Sequence, residues 1–196
     1  MEVKVLKDKL SRIDEMLAKV ESAVQDGNPV LEMPSASGLI ARCQTEGISM
    51  AAAMLEEFQK RNIAIWLDGR SLLASCRTQK LLPWETVVEV GVLEDGWDAL
   101  KDGLLDEIGY VLDGQAVKPA EKPQSGSICP EVKINVWTRD AQTLHLERAE
   151  GETAWTTEEC IFPLKERVLN GLAFASPSNA WSILEAEFGS GWQKIV

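Results

Sequence analysis

The sequence predicts one mixed α/β domain, a small mixed sheet with flanking helices, carried behind an amino-terminal helix. Three observations predict it. Apolar residues recur every three or four positions through residues 3–24, the spacing of a helix. Further on, short apolar or alternating runs of strand length, such as residues 63–67 and 132–137, are separated by helical stretches. The chain has 196 residues, 45% of them hydrophobic, which is enough for one domain with its own core.

The first helix places Val3, Leu6, Leu10, Ile13, Leu17, Val20 and Val24 on alternating steps of three and four, an a/d seam with Lys, Glu and Asp elsewhere. It stops near Gly27-Asn28-Pro29. Residues 1–26 therefore stand apart from a main domain at 38–196, joined by a linker with two prolines. The seam fits two roles. One is a short coiled coil that makes a homodimer through residues 3–24; the other is a helix laid on its own domain.

The remaining elements follow in order. Residues 38–61 read as a helical region with a break expected at Gly47. Ile63-Ala64-Ile65-Trp66-Leu67 reads as a buried strand that Asp68-Gly69 ends, and residues 71–77 as a short helix. Pro83-Trp84 opens a strand over 85–92. Glu94-Asp95-Gly96 then turns into a helix over 97–112, with Leu100, Leu104, Leu105, Ile108 and Val111 on one side. Residues 117–129 hold prolines, serines and lysines and read as a loop. Residues 132–137 alternate as a strand, with 143–146 pairing to it. Residues 166–175 form a hairpin about Asn170-Gly171, and Ser178 or Asn179 caps a last helix.

A formal net charge of -11 argues against a broad nucleic-acid footprint, which needs clustered Lys and Arg. It also disfavours unaided docking on anionic membranes. No apolar run approaches the ~20 residues of a membrane span, and the amino terminus has no signal-peptide core, so a cytoplasmic protein is expected. Cys43, Cys76, Cys129 and Cys160 are widely spaced and never form a CxxC pair, which disfavours structural zinc. They read as free thiols of a reducing compartment.

Residues 66–77 and 83–92 carry the chemistry. A glycine just after a strand, followed by a small hydroxyl residue and a helix, lets backbone N–H groups face a phosphate; here these are Gly69 and Ser71. Side chains at 85, 87 and 89 share one strand face, because the period is two. Glu85 and Glu89 so placed can hold a divalent cation through oxygen. Such a cation would bridge phosphate oxygens as a phosphoryl group transfers. The competing reading is plain: two glutamates on a strand are more often a solvated face.

This stretch resembles the signature of the LicD/fukutin family, which runs roughly W-L-x-G-S/T-L-L-G-x-x-R and then P-W-D-x-D-x-D-I/V-G. The matching residues are Trp66, Leu67, Gly69, Ser71, Leu72, Leu73, Arg77, Pro83, Trp84, Val90 and Gly91. A carboxy-terminal family pattern matches at Ile161-Phe162-Pro163-Leu164, Gly171, Pro177, Asn179, Leu184, Phe188-Gly189 and Trp192. The resemblance covers most of the chain from Ile63 onward, apart from the middle loop. It implies a nucleotidyltransferase-like fold. It also implies transfer of a phospho-substituent, such as phosphocholine or ribitol phosphate, from a cytidine diphosphate-linked donor to a glycan acceptor. By the same resemblance Gly69 and Ser71 position the donor phosphates, Arg77 neutralises phosphate charge, and Glu85 and Glu89 hold Mg or Mn.

Six positions depart from the pattern, and two of them, Glu85 and Glu89, keep the charge of the outer aspartates on a side chain one methylene longer. Ala74 replaces a glycine, and Arg70 adds bulk and charge between Gly69 and Ser71. Val87 replaces the central acid of three, and valine cannot ligate a cation. A further family acid, in a pattern like V-D-L/I/V-F/W, falls on Ile134-Asn135-Val136-Trp137. Asn135 offers a neutral carbonyl ligand there. Fewer anionic ligands hold magnesium more weakly.

Other conspicuous residues have structural readings. Trp66 and Trp84 are expected in the core rather than as base-stacking platforms, and Trp192 and Phe188 against the last helix. Arg77 has two readings, a phosphate contact or a salt bridge to Glu85 or Glu89, and the resemblance favours the first. Lys80 reads as a surface lysine. Glu94, Asp95 and Asp98 suit a helix start. His145, the one histidine, lacks a nucleophile motif and reads as structural or surface. Two functions follow: a phospho-substituent transferase, weakened where acids are lost, or a catalytically degenerate relative that binds a ligand or protein.

Overall fold

The computed structural model describes residues 38–121, 130–140, 143–147 and 153–194. Ser35–Trp192 is one compact unit. Met1–Pro34 with Gln193–Val196 is another, described only where the 3-10 turn Trp192–Lys194 ends. The amino-terminal helix, its seam, the homodimer through residues 3–24 and the linker lie outside the described residues.

The main unit is a mixed α/β fold. Helix α1 (Gly38–Lys60) leads to strand β1 (Ile65–Leu67), helix α2 (Gly69–Arg77) and strand β2 (Val87–Leu93). Helix α3 (Glu94–Lys101), a 3-10 turn (Asp106–Ile108) and strands β3 (Tyr110–Asp113) and β4 (Ala116–Pro119) lead to the long strand β5 (Glu131–Asp140). Strands β6 (Thr143–Glu147) and β7 (Thr153–Thr157), helix α4 (Glu158–Ile161), strands β8 (Lys165–Leu169) and β9 (Leu172–Ser176) and helix α5 (Ala180–Phe188) complete it.

Seven strands form one sheet in the order β1-β2-β5-β4-β3, with β6 pairing to β5 and β7 to β6. The β2–β5 pair is parallel and the other pairs are antiparallel. Strands β8 and β9 make a separate hairpin.

One face of the central pair carries Val88, Val90, Val92, Val132 and Ile134, each at most 2% exposed. Burying each such side chain contributes about 1.5–3 kcal/mol. Helix α1 covers this face without interruption. Gly47 does not break it: a Cβ there would meet Val88 Cγ2 at 3.4 Å, so glycine serves a close helix–sheet approach.

The expected helix over 97–112 is corrected. Only α3 forms, because Gly103 (φ 86) and Gly109 (φ 79) take left-handed conformations that an α-helix does not continue through. The chain then enters a hairpin whose two-residue loop starts with Gly114 (φ 62), so part of the expected loop is strand β4. Strand β2 starts at Val87 rather than residue 85, because Glu85 N–H closes a turn onto Leu82 O at 2.9 Å. Strand β7 and helix α4 have no counterpart in the sequence reading.

Other expectations hold. The β8–β9 loop is Asn170 (φ 49) and Gly171 (φ 83), both left-handed as this tight hairpin requires. Asn179 caps α5, its Oδ1 accepting from Ser182 N–H at 3.2 Å. Trp66 is 1% exposed, and Trp192 is buried edge-on to Trp181 of α5. Among the described residues, Cys43, Cys76 and Cys160 form no disulfide, and no helix is long and apolar enough to cross a membrane.

Candidate functional site

The second face of β2 and β5 holds the site. Strand periodicity puts Val87, Glu89 and Gly91 of β2 beside Glu131, Lys133 and Asn135 of β5, with Leu93 beside Trp137. On the other side of β2, Trp66 of β1 pairs with Gly91. The indole lies across this glycine: a Cβ on Gly91 would stand 2.5 Å from Trp66 Cε2.

Asp68 follows β1 on the same alternation as Trp66 and enters the site. Its N–H donates to Glu89 O at 3.1 Å, extending the β1–β2 pairing by one bond. Asp68 occupies the N-cap of α2, yet its carboxylate does not cap the helix. Instead Oδ2 accepts from Asn135 Nδ2 at 3.0 Å and Trp137 Nε1 at 2.9 Å. Oδ1 is buried without a partner, and the residue is 1% exposed. Burial raises the Asp68 pKa above the ordinary carboxylate value, against the lowering effect of these two donors and with help from the Glu89 charge.

Gly69 takes φ 49, and a Cβ there would overlap the Glu89 carboxylate. The next N–H, that of Arg70, donates to Glu89 Oε2 at 2.9 Å. The turn expected to face a phosphate thus faces this chain's own carboxylate. Ser71 is fully buried, and its Oγ accepts from Glu89 N–H at 2.8 Å. This hydroxyl fastens α2 to β2.

The acids are met by cations. Arg70 Nη1 lies 3.2 Å from Glu85 Oε1, and its Nε lies 3.8 Å from Glu89 Oε1. Lys133 Nζ lies 3.9 Å from the same Glu89 oxygen. The two glutamate side chains are each 10% exposed, whereas Arg70 is 58% and Lys133 44% exposed. Glu85 first, and then Glu89, raise the Arg70 pKa against partial burial. Glu85 and Glu89 are therefore neutralised by Arg70 and Lys133.

This donor set does not fit a divalent cation as it stands. Arg70 spans the two glutamates, Val87 presents only methyl groups on the ligand face, and Asn135 is committed to Asp68. Among the described residues no three His, Cys, Asp or Glu side chains come together as an ion site.

The structure brings together Gly69, Ser71, Glu85, Glu89 and Asn135. It leaves Arg77 at the far end of α2, about 12 Å along the axis from Gly69 at 1.5 Å per residue. There Arg77 Nη1 is buried without a hydrogen-bond partner, and burial lowers its pKa. The salt bridge weighed for Arg77 is made by Arg70. Asp68 and Lys133 join the site unannounced by any motif, and Trp137, which ends the later-strand pattern, joins it without having been given a role. Alternation would have found them, since 66 and 68, and 133, 135 and 137, fall on single strand faces. Trp84 is not in the core; it is 46% exposed. His145 stacks on Trp155 at 5.0 Å between centroids, away from this cluster in register.

The model of the LicD/FKTN/FKRP nucleotidyltransferase domain matches residues 62–179. The chain belongs to the LicD/FKTN/FKRP family. The match runs from just before β1 to the cap of α5, so it includes every residue of the LicD site described above. No curated protein matches this chain. Among solved structures, E. coli MS115-1 CdnC with ATP is similar at 13% identity and a TM-score of 0.37, over 61% of this chain and 43% of that one. The chain thus spans less than half of the CdnC chain.

Proposed function

We propose that this LicD domain binds a nucleotide-linked phospho-donor and does not itself carry out metal-dependent transfer. One observation carries the reading: Arg70 fills the site from both sides. Its N–H holds Glu89 in the turn, and its guanidinium neutralises Glu85 and Glu89. Phosphoryl transfer needs positive charge gathered on the transferring group, and here the nearest cations are already paired. The family supplies the ligand class: a cytidine diphosphate-linked donor, with a glycan as the acceptor of related transferases. The exposed faces of Arg70 and Lys133 are where donor phosphates would meet this chain.

A second reading, metal-assisted transfer with Mg or Mn, has its own support. Asp68 adds an acid beside Glu89 that the family acids did not include, and its Oδ1 lacks a partner. With the Arg70 guanidinium swung away, Asp68 and Glu89 remain as two neighbouring acids that can offer oxygen to a cation.

Calorimetry with CDP-choline, with and without Mg or Mn, separates the two. Our reading expects equal affinity in both conditions and binding that persists in Glu89→Ala. Binding that requires the metal and vanishes in Glu89→Ala would establish the second reading.

A further inference from the structure

Among the described residues, four buried side-chain atoms have no hydrogen-bond partner, and two of the four lie in the site: Trp66 Nε1 and Asp68 Oδ1. Each residue is only 1% exposed, so bulk solvent serves neither atom. The two are complementary, because an indole N–H only donates and a carboxylate oxygen accepts. Buried polar atoms in native folds nearly always find a partner, and a donor and an acceptor left together call for a common one.

The two atoms converge on one place. Trp66 and Asp68 follow each other on one strand face, two residues and about 6.6 Å apart. Both side chains reach across β2 in the same direction. The Trp66 indole lies on Gly91, and Nε1 is the atom nearest to where a Cβ of that glycine would stand. The Asp68 carboxylate crosses to Asn135, which is the partner of Gly91 on β5. Donor and acceptor thus meet at the Gly91–Asn135 pair without bonding each other.

Their chemistry selects what they share. A cation suits the carboxylate but not the indole N–H, which offers a positive hydrogen and no lone pair. An anion suits the N–H but is repelled by Asp68 and by the neighbouring Glu89 charge. A water molecule accepts from the one and donates to the other, and two such bonds of about 2.9 Å each bridge a separation of about 5 Å. We propose that Trp66 Nε1 and Asp68 Oδ1 hold one buried water between them. A polar site with two or more partners is what such a water requires. With Oδ2 already taken by Asn135 and Trp137, the water commits the second oxygen of Asp68 and withdraws this acid from metal ligation. The inference stands on this geometry and does not depend on donor binding.

The test is water-selective nuclear Overhauser spectroscopy on the isotope-labelled full chain with its indole signals assigned. The parent should show a rotating-frame cross-peak between water and the Trp66 Nε1 proton, with the sign of dipolar contact rather than of exchange. Asp68→Leu, which replaces the carboxylate by an apolar group, should lose it. Saturating Mg should leave the cross-peak of the parent unchanged. A parent without the cross-peak overturns the proposal, independently of how well the variant folds. A cross-peak that persists in Asp68→Leu overturns the sharing with Asp68. One that Mg abolishes overturns the proposal in favour of a cation on Asp68 Oδ1. CDP-choline is absent throughout, so the donor-binding reading stands or falls on its own calorimetry.

Discussion

The guanidinium of Arg70 stands 3.2 Å from the Glu85 carboxylate, where a metal-dependent site would present that acid to a cation. Glu85 and Glu89 are each only 10% exposed, so removing the positive charge leaves two nearly buried carboxylates with Lys133 alone. Arg70 itself is more than half exposed, and solvent screens its pairs. We expect Arg70→Ala to cost about 1–2 kcal/mol in urea unfolding at neutral pH and low salt. The loss should shrink in 1 M salt. Arg70→Ala combined with Glu85→Gln should cost less than the sum of the single changes.

Asp68 gives the stability a pH dependence of known sign. Its folded pKa is raised, chiefly by burial, so the folded chain holds this proton more tightly than the unfolded chain does. Its contribution is complete below the ordinary Asp value, about pH 4. It is lost as pH rises from there through the raised folded value. Asp68→Asn removes the titration while keeping an oxygen for Asn135 and Trp137. Unfolding free energies between pH 4 and 8 should show the variant gaining on the parent as pH rises. Parallel curves would contradict the assignment.

Gly91 tests the packing under the site. A Cβ there meets the Trp66 indole, which is 1% exposed and edge-on to Phe162 at 5.9 Å, so the ring has little room to retreat. Gly91→Ala should destabilise the fold by about 1–3 kcal/mol through overpacking. Thermal unfolding with near-ultraviolet circular dichroism would report both the loss and the displaced indole.

Gln44 reaches the site from the opposite layer. Its amide nitrogen serves two carbonyls of the Leu82–Glu85 turn. Gln44→Leu should cost about 1–3 kcal/mol in chemical unfolding, because those buried carbonyls lose a donor. It should also raise hydrogen exchange at Glu85 N–H, which closes the turn. Unaltered exchange there would show that the turn holds itself.

The legible parts of this chain were those in which one local signal had one structural solution. Asn170-Gly171 allowed a single kind of hairpin, Asn179 a cap, and the apolar run ending at Leu67 a buried strand. Helix α3 was overextended because Leu104, Leu105 and Ile108 keep helical spacing, whereas Gly103 and Gly109 stop the helix by conformation. In the site, the glycine–hydroxyl and paired-acid signals singled out Gly69, Ser71, Glu85 and Glu89, which the fold gathers into one cluster. What they could not convey was which partner each group takes. Ser71 binds a strand N–H, Glu89 fills the turn, and Arg70 rather than Arg77 meets the acids. Those choices depend on the β2–β5 register and on where α2 lies. Trp84 was misplaced because a Trp-Pro neighbourhood beside a strand looks like core until the Gln44 clamp is seen.

The central claim is that this chain's own Arg70 stands in for a divalent cation between Glu85 and Glu89. Titration of the full chain with Mn, read by the loss of the free-ion electron paramagnetic resonance signal, tests it most directly. The account expects weak or no Mn binding by the parent, and a site of at least tenfold higher affinity in the double variant Arg70→Ala, Val87→Asp. Tight Mn binding by the parent, lost in Glu89→Ala and unaltered when Arg70 is removed, would contradict it.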